Sequence, residues 1–101
     1  MRLDPAFHHP SRVAIVTRLL PSEHLRFAKL QELTGLTSGN LASHLEALER
    51  AGYVAQRDAI IQLRPGKLVA MTQEGRAAFA AYVEQVEALL AELRAAAAPQ
   101  G

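Results

Sequence analysis

The stretch 27–54, FAKLQELTGLTSGNLASHLEALERAGYV, restricts the folds open to this chain more than any other part of it. Apolar residues recur at Phe27, Leu30 and Leu33, and again at Leu41, Leu45 and Leu48. Steps of three and four residues place each set on one face of a helix. Between the two sets lies Thr34-Gly35-Leu36-Thr37. Gly35 can take the positive φ that ends the first helix. Thr37 is a good N-cap for the second, and Asn40 three residues on loosely resembles a capping box. Helix, short turn with Gly, helix is the helix-turn-helix signature.

The outward face of the second helix carries Ser38, Gly39, Asn40, Ser43, His44 and Ala47, with no acidic side chain among them. A helix that enters a major groove needs a slim leading face whose groups reach base edges. An ordinary solvated helix face is the competing reading.

The chain has 101 residues, half of them hydrophobic, which suits one domain with a modest core. It has no Cys, so disulfides and thiolate metal sites are unavailable and the redox compartment is not readable. No apolar run approaches membrane-spanning length, and the N-terminus lacks the order of a signal peptide. A soluble cytoplasmic protein without a membrane partner is the expectation. Net charge is only +1, so nucleic-acid binding must come from local placement of Arg and Lys.

Ahead of the motif, Asp4-Pro5 fits an N-cap and first helical position, giving a one-turn helix that buries Leu3 and Phe7. Pro10 then resets the chain, and 11–20 reads as a helix with Val13, Ile15, Val16, Leu19 and Leu20 apolar. Pro21-Ser22-Glu23 breaks it, and Leu25-Arg26 can form a very short strand. After the motif, Gly52 is a natural residue to end the helix and Tyr53 starts a strand. Segments 53–58 and 67–72 have strand composition, and 59–66, ending in Arg64-Pro65-Gly66, reads as the turn of an antiparallel hairpin. That turn brings Arg64 and Lys67 together, with Arg57 on the outgoing strand. Thr72 caps a long helix to about Ala97, with Glu74 at its positive end. Within it Phe79, Val83, Val86, Leu90 and Leu93 step by 4, 3, 4, 3, a heptad-like seam. Roughly 25 residues at 1.5 Å each make about 37 Å, longer than the small core beside it. The end of the seam therefore needs another surface, and a second copy is the economical choice. The Ala-rich end and Pro99-Gln100-Gly101 should fray.

This order resembles the small winged-helix transcriptional regulators related to the MarR and ArsR families. Leu3-Asp4-Pro5 with Pro10-Ser11-Arg12 resembles their first-helix entry. Leu33-Thr34-Gly35-Leu36-Thr37 followed by Leu41-Ala42-Ser43-His44-Leu45 resembles their turn and recognition helix. Leu48-Glu49-Arg50-Ala51-Gly52-Tyr53-Val54 resembles their run into the wing, and Met71-Thr72-Gln73-Glu74-Gly75-Arg76 their Leu-Thr-x-x-Gly-Arg that closes it. One departure is the apolar outgoing side of the wing, Ala59-Ile60-Ile61, which weakens the case for wing contacts to DNA.

Other constellations carry less. His8-His9, His24 and His44 invite a metal, but the long helix has Glu84, Glu87 and Glu92 without a His, so no metal or cofactor is expected. No nucleophile, base and acid occur in a catalytic context, so the protein is not expected to be an enzyme. The expected fold is α+β, mainly helical: a winged helix-turn-helix core over 1–75, with a two-stranded wing, and a dimerisation helix with frayed tail over 76–101, together one domain. Thr37, Ser38, Asn40, Ser43 and His44 are expected at the major groove, and Arg57, Arg64 and Lys67 at phosphate or minor groove. Phe79, Val83, Val86, Leu90 and Leu93 are the dimer seam, with Phe79 and Val83 also close to the core. The expected function is sequence-specific binding of a palindromic double-stranded DNA operator as a homodimer, with an unknown small-molecule effector, and the resemblance implies a transcriptional repressor. A winged helix used only for protein–protein contact is the alternative.

Overall fold

The structure is a computed structural model that describes residues 2–99. Its elements in chain order are α1 (Pro10–Leu19), β1 (Leu25–Arg26), α2 (Phe27–Thr34), α3 (Ser38–Arg50), β2 (Val54–Ile61), β3 (Arg64–Met71) and α4 (Gln73–Ala97). This is the α+β winged helix-turn-helix, mainly helical, that the order of motifs implies. The last residues of the tail, Gln100 and Gly101, lie outside the described part. No helix among the described residues is long and apolar enough to cross a membrane.

Local chemistry sets each boundary. The one-turn helix expected near Asp4 is only a turn. Phe7 and His8 return N–H bonds to the Asp4 carbonyl, and Ala6 donates to Asp4 Oδ1 at 3.0 Å. The turn stops because His9 leaves it extended (φ −155°, ψ 128°) to cap α1, its Nδ1 accepting from the Ser11 N–H at 3.1 Å. Pro10 then occupies the first turn of α1, where no N–H is needed. Gly35 ends α2 in the left-handed region at φ 72°, which costs a glycine nothing. Thr37 Oγ1 accepts from the Asn40 N–H at 3.1 Å and starts α3. At the far end of α3, Gly52 and Tyr53 return N–H bonds to the Glu49 and Leu48 carbonyls, a Schellman closure.

The hairpin differs from expectation. Its strands are longer, and the turn is the two residues Gln62 and Leu63, both at positive φ (52° and 65°). Two-residue hairpins prefer this backbone because its twist matches that of the strands. Pro65-Gly66 reads as a turn in sequence, yet Pro65 lies within β3 opposite Ile60. Ile61 and Arg64 flank the turn as the hydrogen-bonded pair, so the next pair, Ile60 and Pro65, needs no donor from Pro65. The sheet order is β1-β3-β2, with Leu25 and Arg26 of β1 paired to Val69 and Leu68.

The core gathers one face from every helix with the base of the hairpin: Ile15, Val16 and Leu19 from α1, Leu30 from α2, Leu41, Leu45 and Leu48 from α3, and Val54, Val69 and Met71 from the strands. Phe7 closes it, stacked on Tyr53 with ring centres 4.7 Å apart and edge-on to Phe79 at 5.1 Å. Phe79 and Tyr82 of α4 are buried in this core, and Val86 packs partly against it. Farther along α4, Leu90 and Leu93 are 41% and 55% exposed.

Candidate nucleic-acid interface

Burial of Leu41, Leu45 and Leu48 fixes how α3 is rolled. At about 100° per residue, Gly39, Ser43 and Arg50 point straight out from the core. Ala42 and Glu49 lie on one flank, and Asn40 and His44 on the other. Thr37, Ser38, Asn40 and Ser43 are all exposed. They form a low, hydrogen-bonding ridge at the N-terminal half of the helix, where backbone N–H groups also favour anions.

Two features of this face depart from the sequence reading. Glu46 is also exposed, so the outer surface of α3 does carry an acid; Arg50 answers it, Nη1 to Oε1 at 3.4 Å one helical turn away. His44 is half-buried rather than fully outward. Its Nδ1 accepts from Arg12 Nε on α1 at 3.1 Å, and its ring centre lies 4.5 Å from that of His9. Burial above all, then the charges of His9 and Arg12, holds the His44 pKa below 6.5.

The Ala42 flank faces the hairpin. A groove of about 590 Å³ lies between them, with Phe27, Ala28, Ala42, Ile61, Pro65 and Gly66 among its walls. Arg26, Arg64 and Lys67 border the same groove, and no acidic side chain does. Arg64 and Lys67 thus come together as expected. Arg57 stays out of that groove: it sits opposite Leu68 and borders a second recess with Glu49, Gln56 and Asp58, which Lys67 also lines. Arg26 was not singled out in the sequence. Its signal was its place directly before α2, in the two-residue strand that pairs with β3. At the hairpin tip Leu63 is 96% exposed and Ile60 72% exposed.

Residues 11–90 match the family model described as "winged helix DNA-binding domain". The chain belongs to that family. An uncharacterized protein of Methanocaldococcus jannaschii is 35% identical over 80 residues, covering 79% of this chain and 87% of that one. The transcriptional regulator homologue protein from Pyrococcus horikoshii OT3 has a solved structure with TM-score 0.80 and 32% identity, covering 87% of each chain. A MarR family regulator from Enterococcus faecalis V583 has TM-score 0.71 at 20% identity, covering 89% of this chain and 83% of that one, a likeness of fold. An ArsR family structure shares the fold too. The resemblance seen in the motifs therefore holds at the level of family and architecture. In winged-helix terms, α3 is the second helix of the helix-turn-helix and β2–β3 the wing.

The seam on α4 divides. Phe79 belongs to the core, edge-on to Phe7. Val86 is shared with that core, while Val83, Leu90 and Leu93 present exposed apolar surface. Among the described residues no three His, Asp or Glu side chains form a metal-holding group.

Proposed function

We propose that this winged helix is a transcriptional regulator, a repressor, that binds a palindromic operator as a homodimer joined through α4. One observation carries the reading. The exposed ridge of Thr37, Ser38, Asn40 and Ser43 stands beside a groove rimmed by Arg26, Arg64 and Lys67 and free of acids. Base-reading groups on a helix with phosphate-binding groups at its side are the two halves of sequence-specific duplex recognition. Leu90 and Leu93, exposed on a helix that outruns its core, support the homodimer. The test is fluorescence anisotropy with the operator found by genomic footprinting and with a scrambled duplex, at several salt concentrations. Asn40→Ala should weaken operator binding by about 1–3 kcal/mol and leave scrambled binding nearly intact. Arg64→Ala should weaken both alike and lower the salt slope by about one. The exposed Ile60 and Leu63 favour one competing reading, a wing that docks on another protein. Duplex binding indifferent to both substitutions would make that the better account.

A further inference from the structure

The flank of α3 turned away from the wing carries a second set of basic groups. His9 comes from the segment ahead of α1, Arg12 from the first turn of α1, and His44 from the middle of α3. The two imidazole centres are 4.5 Å apart, and Arg12 Nε donates to His44 Nδ1 at 3.1 Å. Arg12 Nη1 donates to the Ala6 carbonyl at 3.3 Å. Three protonatable or cationic side chains thus meet, and no carboxylate answers them. The ion pairs among the described residues are Lys29–Glu32 and Glu46–Arg50, both elsewhere. Asp4, in the same N-terminal segment, is occupied: its Oδ2 accepts from the Tyr53 hydroxyl at 2.7 Å and its Oδ1 from the Ala6 N–H.

The hydrogen-bond pattern points the same way. Each imidazole uses Nδ1 as an acceptor, His9 from the Ser11 N–H and His44 from Arg12. In the neutral ring the proton must then sit on Nε2. Two Nε2–H groups and Arg12 Nη2 remain as donors with no protein acceptor among the described residues. A group with several acceptor oxygens and a negative charge completes such a set.

We propose that His9, Arg12 and His44 form a second phosphate-backbone contact, which holds the DNA strand on the wall of the major groove opposite the wing. This rests on the reading of α3 as the helix that enters the groove. A major groove is walled by two backbones. On the Ala42 flank of α3, Arg26, Arg64 and Lys67 serve one of them. Without the His9–Arg12–His44 set, α3 itself would offer the other wall Asn40 and Ala47, neither of them charged.

The contact is linked to protons. The titratable or charged groups that bear on His44 are His9 and Arg12; its helical neighbours Asn40, Leu41, Ala47 and Leu48 carry no charge. In the free protein they and burial oppose the imidazolium. A phosphate opposes them in turn and raises the pKa in the complex. Protonation of Nδ1 also releases the Arg12 Nε–H, which the phosphate accepts. The bound state then takes up a proton, so affinity is flat at high pH and rises as pH falls through the bound pKa, by up to about tenfold per unit per proton.

Phosphate contacts are blind to sequence, so the test uses a labelled 20-base-pair duplex of random sequence and the full chain. Arg12→Gln should bind about tenfold more weakly at low salt, with the salt slope lower by about one. The pair His9→Gln with His44→Gln should abolish the rise in affinity between about pH 8 and about pH 5.5. Because Arg12 also braces α1 against α3, a second measurement uses the unaltered protein. The NMR titration of the His44 ring should move to higher pH when duplex is added. If duplex binds while the His44 titration stays put, the cluster only braces the helices and the proposal falls, with the DNA-binding reading intact. If the protein binds no duplex at any salt, both fall together.

Discussion

Gly75 and Gly39 both lie in the first turn or so of a helix, and the same substitution should act oppositely at the two. On helix propensity alone, Gly→Ala stabilises by up to about 1 kcal/mol. At Gly39 a Cβ would meet nothing within 4 Å, so that gain stands. At Gly75 a Cβ would lie 2.1 Å from the Tyr53 carbonyl oxygen, where contacts under 3.0 Å are essentially never seen. The backbone must therefore move. The Tyr53 carbonyl cannot yield freely, since it accepts from the Thr72 N–H at 3.0 Å. Thr72 is itself bound on two sides, donating to the Gly52 carbonyl at 2.6 Å and accepting from the Gly75 N–H at 2.9 Å. Overpacking of this kind costs about 1–3 kcal/mol, and loss of the Thr72 cap about 1 more. Set against the propensity gain, Gly75→Ala should destabilise by about 2 kcal/mol and lower Tm by roughly 10 °C. Gly39→Ala should raise stability by about 0.5–1 kcal/mol. Urea denaturation of both variants, at equal protein concentration because the stability of the proposed dimer would depend on it, reads the difference. A Gly75→Ala protein as stable as Gly39→Ala would show that α4 does not start against the Tyr53 carbonyl, and the account of how the wing is closed would fail.

Leu90→Asp, at a position 41% exposed in the single chain, should leave the fold intact and weaken the proposed dimer by about 3–5 kcal/mol, giving monomers in analytical ultracentrifugation; an unchanged dimer mass would place the interface elsewhere. Gln62→Asn with Leu63→Gly, which suits both positive-φ positions of the wing turn, should raise stability by about 1 kcal/mol in thermal melts, and a loss instead would mean that the tip is not a two-residue turn of this type.

What the sequence made legible was whatever is decided within a few residues. The Gly35 turn, the caps at Thr37 and Thr72, the closure at Gly52 and the length of α4 each depend on a local hydrogen bond or a local φ, and each is written in adjacent residues. What stayed hidden was decided across the fold. Pro65-Gly66 has turn chemistry, but the wing registers at Ile61 and Arg64 because extending the ladder pairs more backbone, at the expense of two strained residues at the tip. The sequence places His44 in the polar run of α3, and periodicity alone cannot say that Arg12, 32 residues earlier, would turn it toward α1. Phe79 and Val83 were both expected close to the core; Phe7, 72 positions away, takes the Phe79 ring into it, whereas Val83, one turn on, is 37% exposed. Arg26 gained its place beside Arg64 and Lys67 only through a two-residue strand. The candidate site on α3 was thus half legible: the residues that face outward by helical phase and the wing cations Arg64 and Lys67 could be named, whereas Arg26, His9 and Arg12 were brought to its flanks by partners distant in the chain. On the proposed function, those flanks are where the fold would add most, because a recognition helix without anchored backbones has base contacts but no register to make them in.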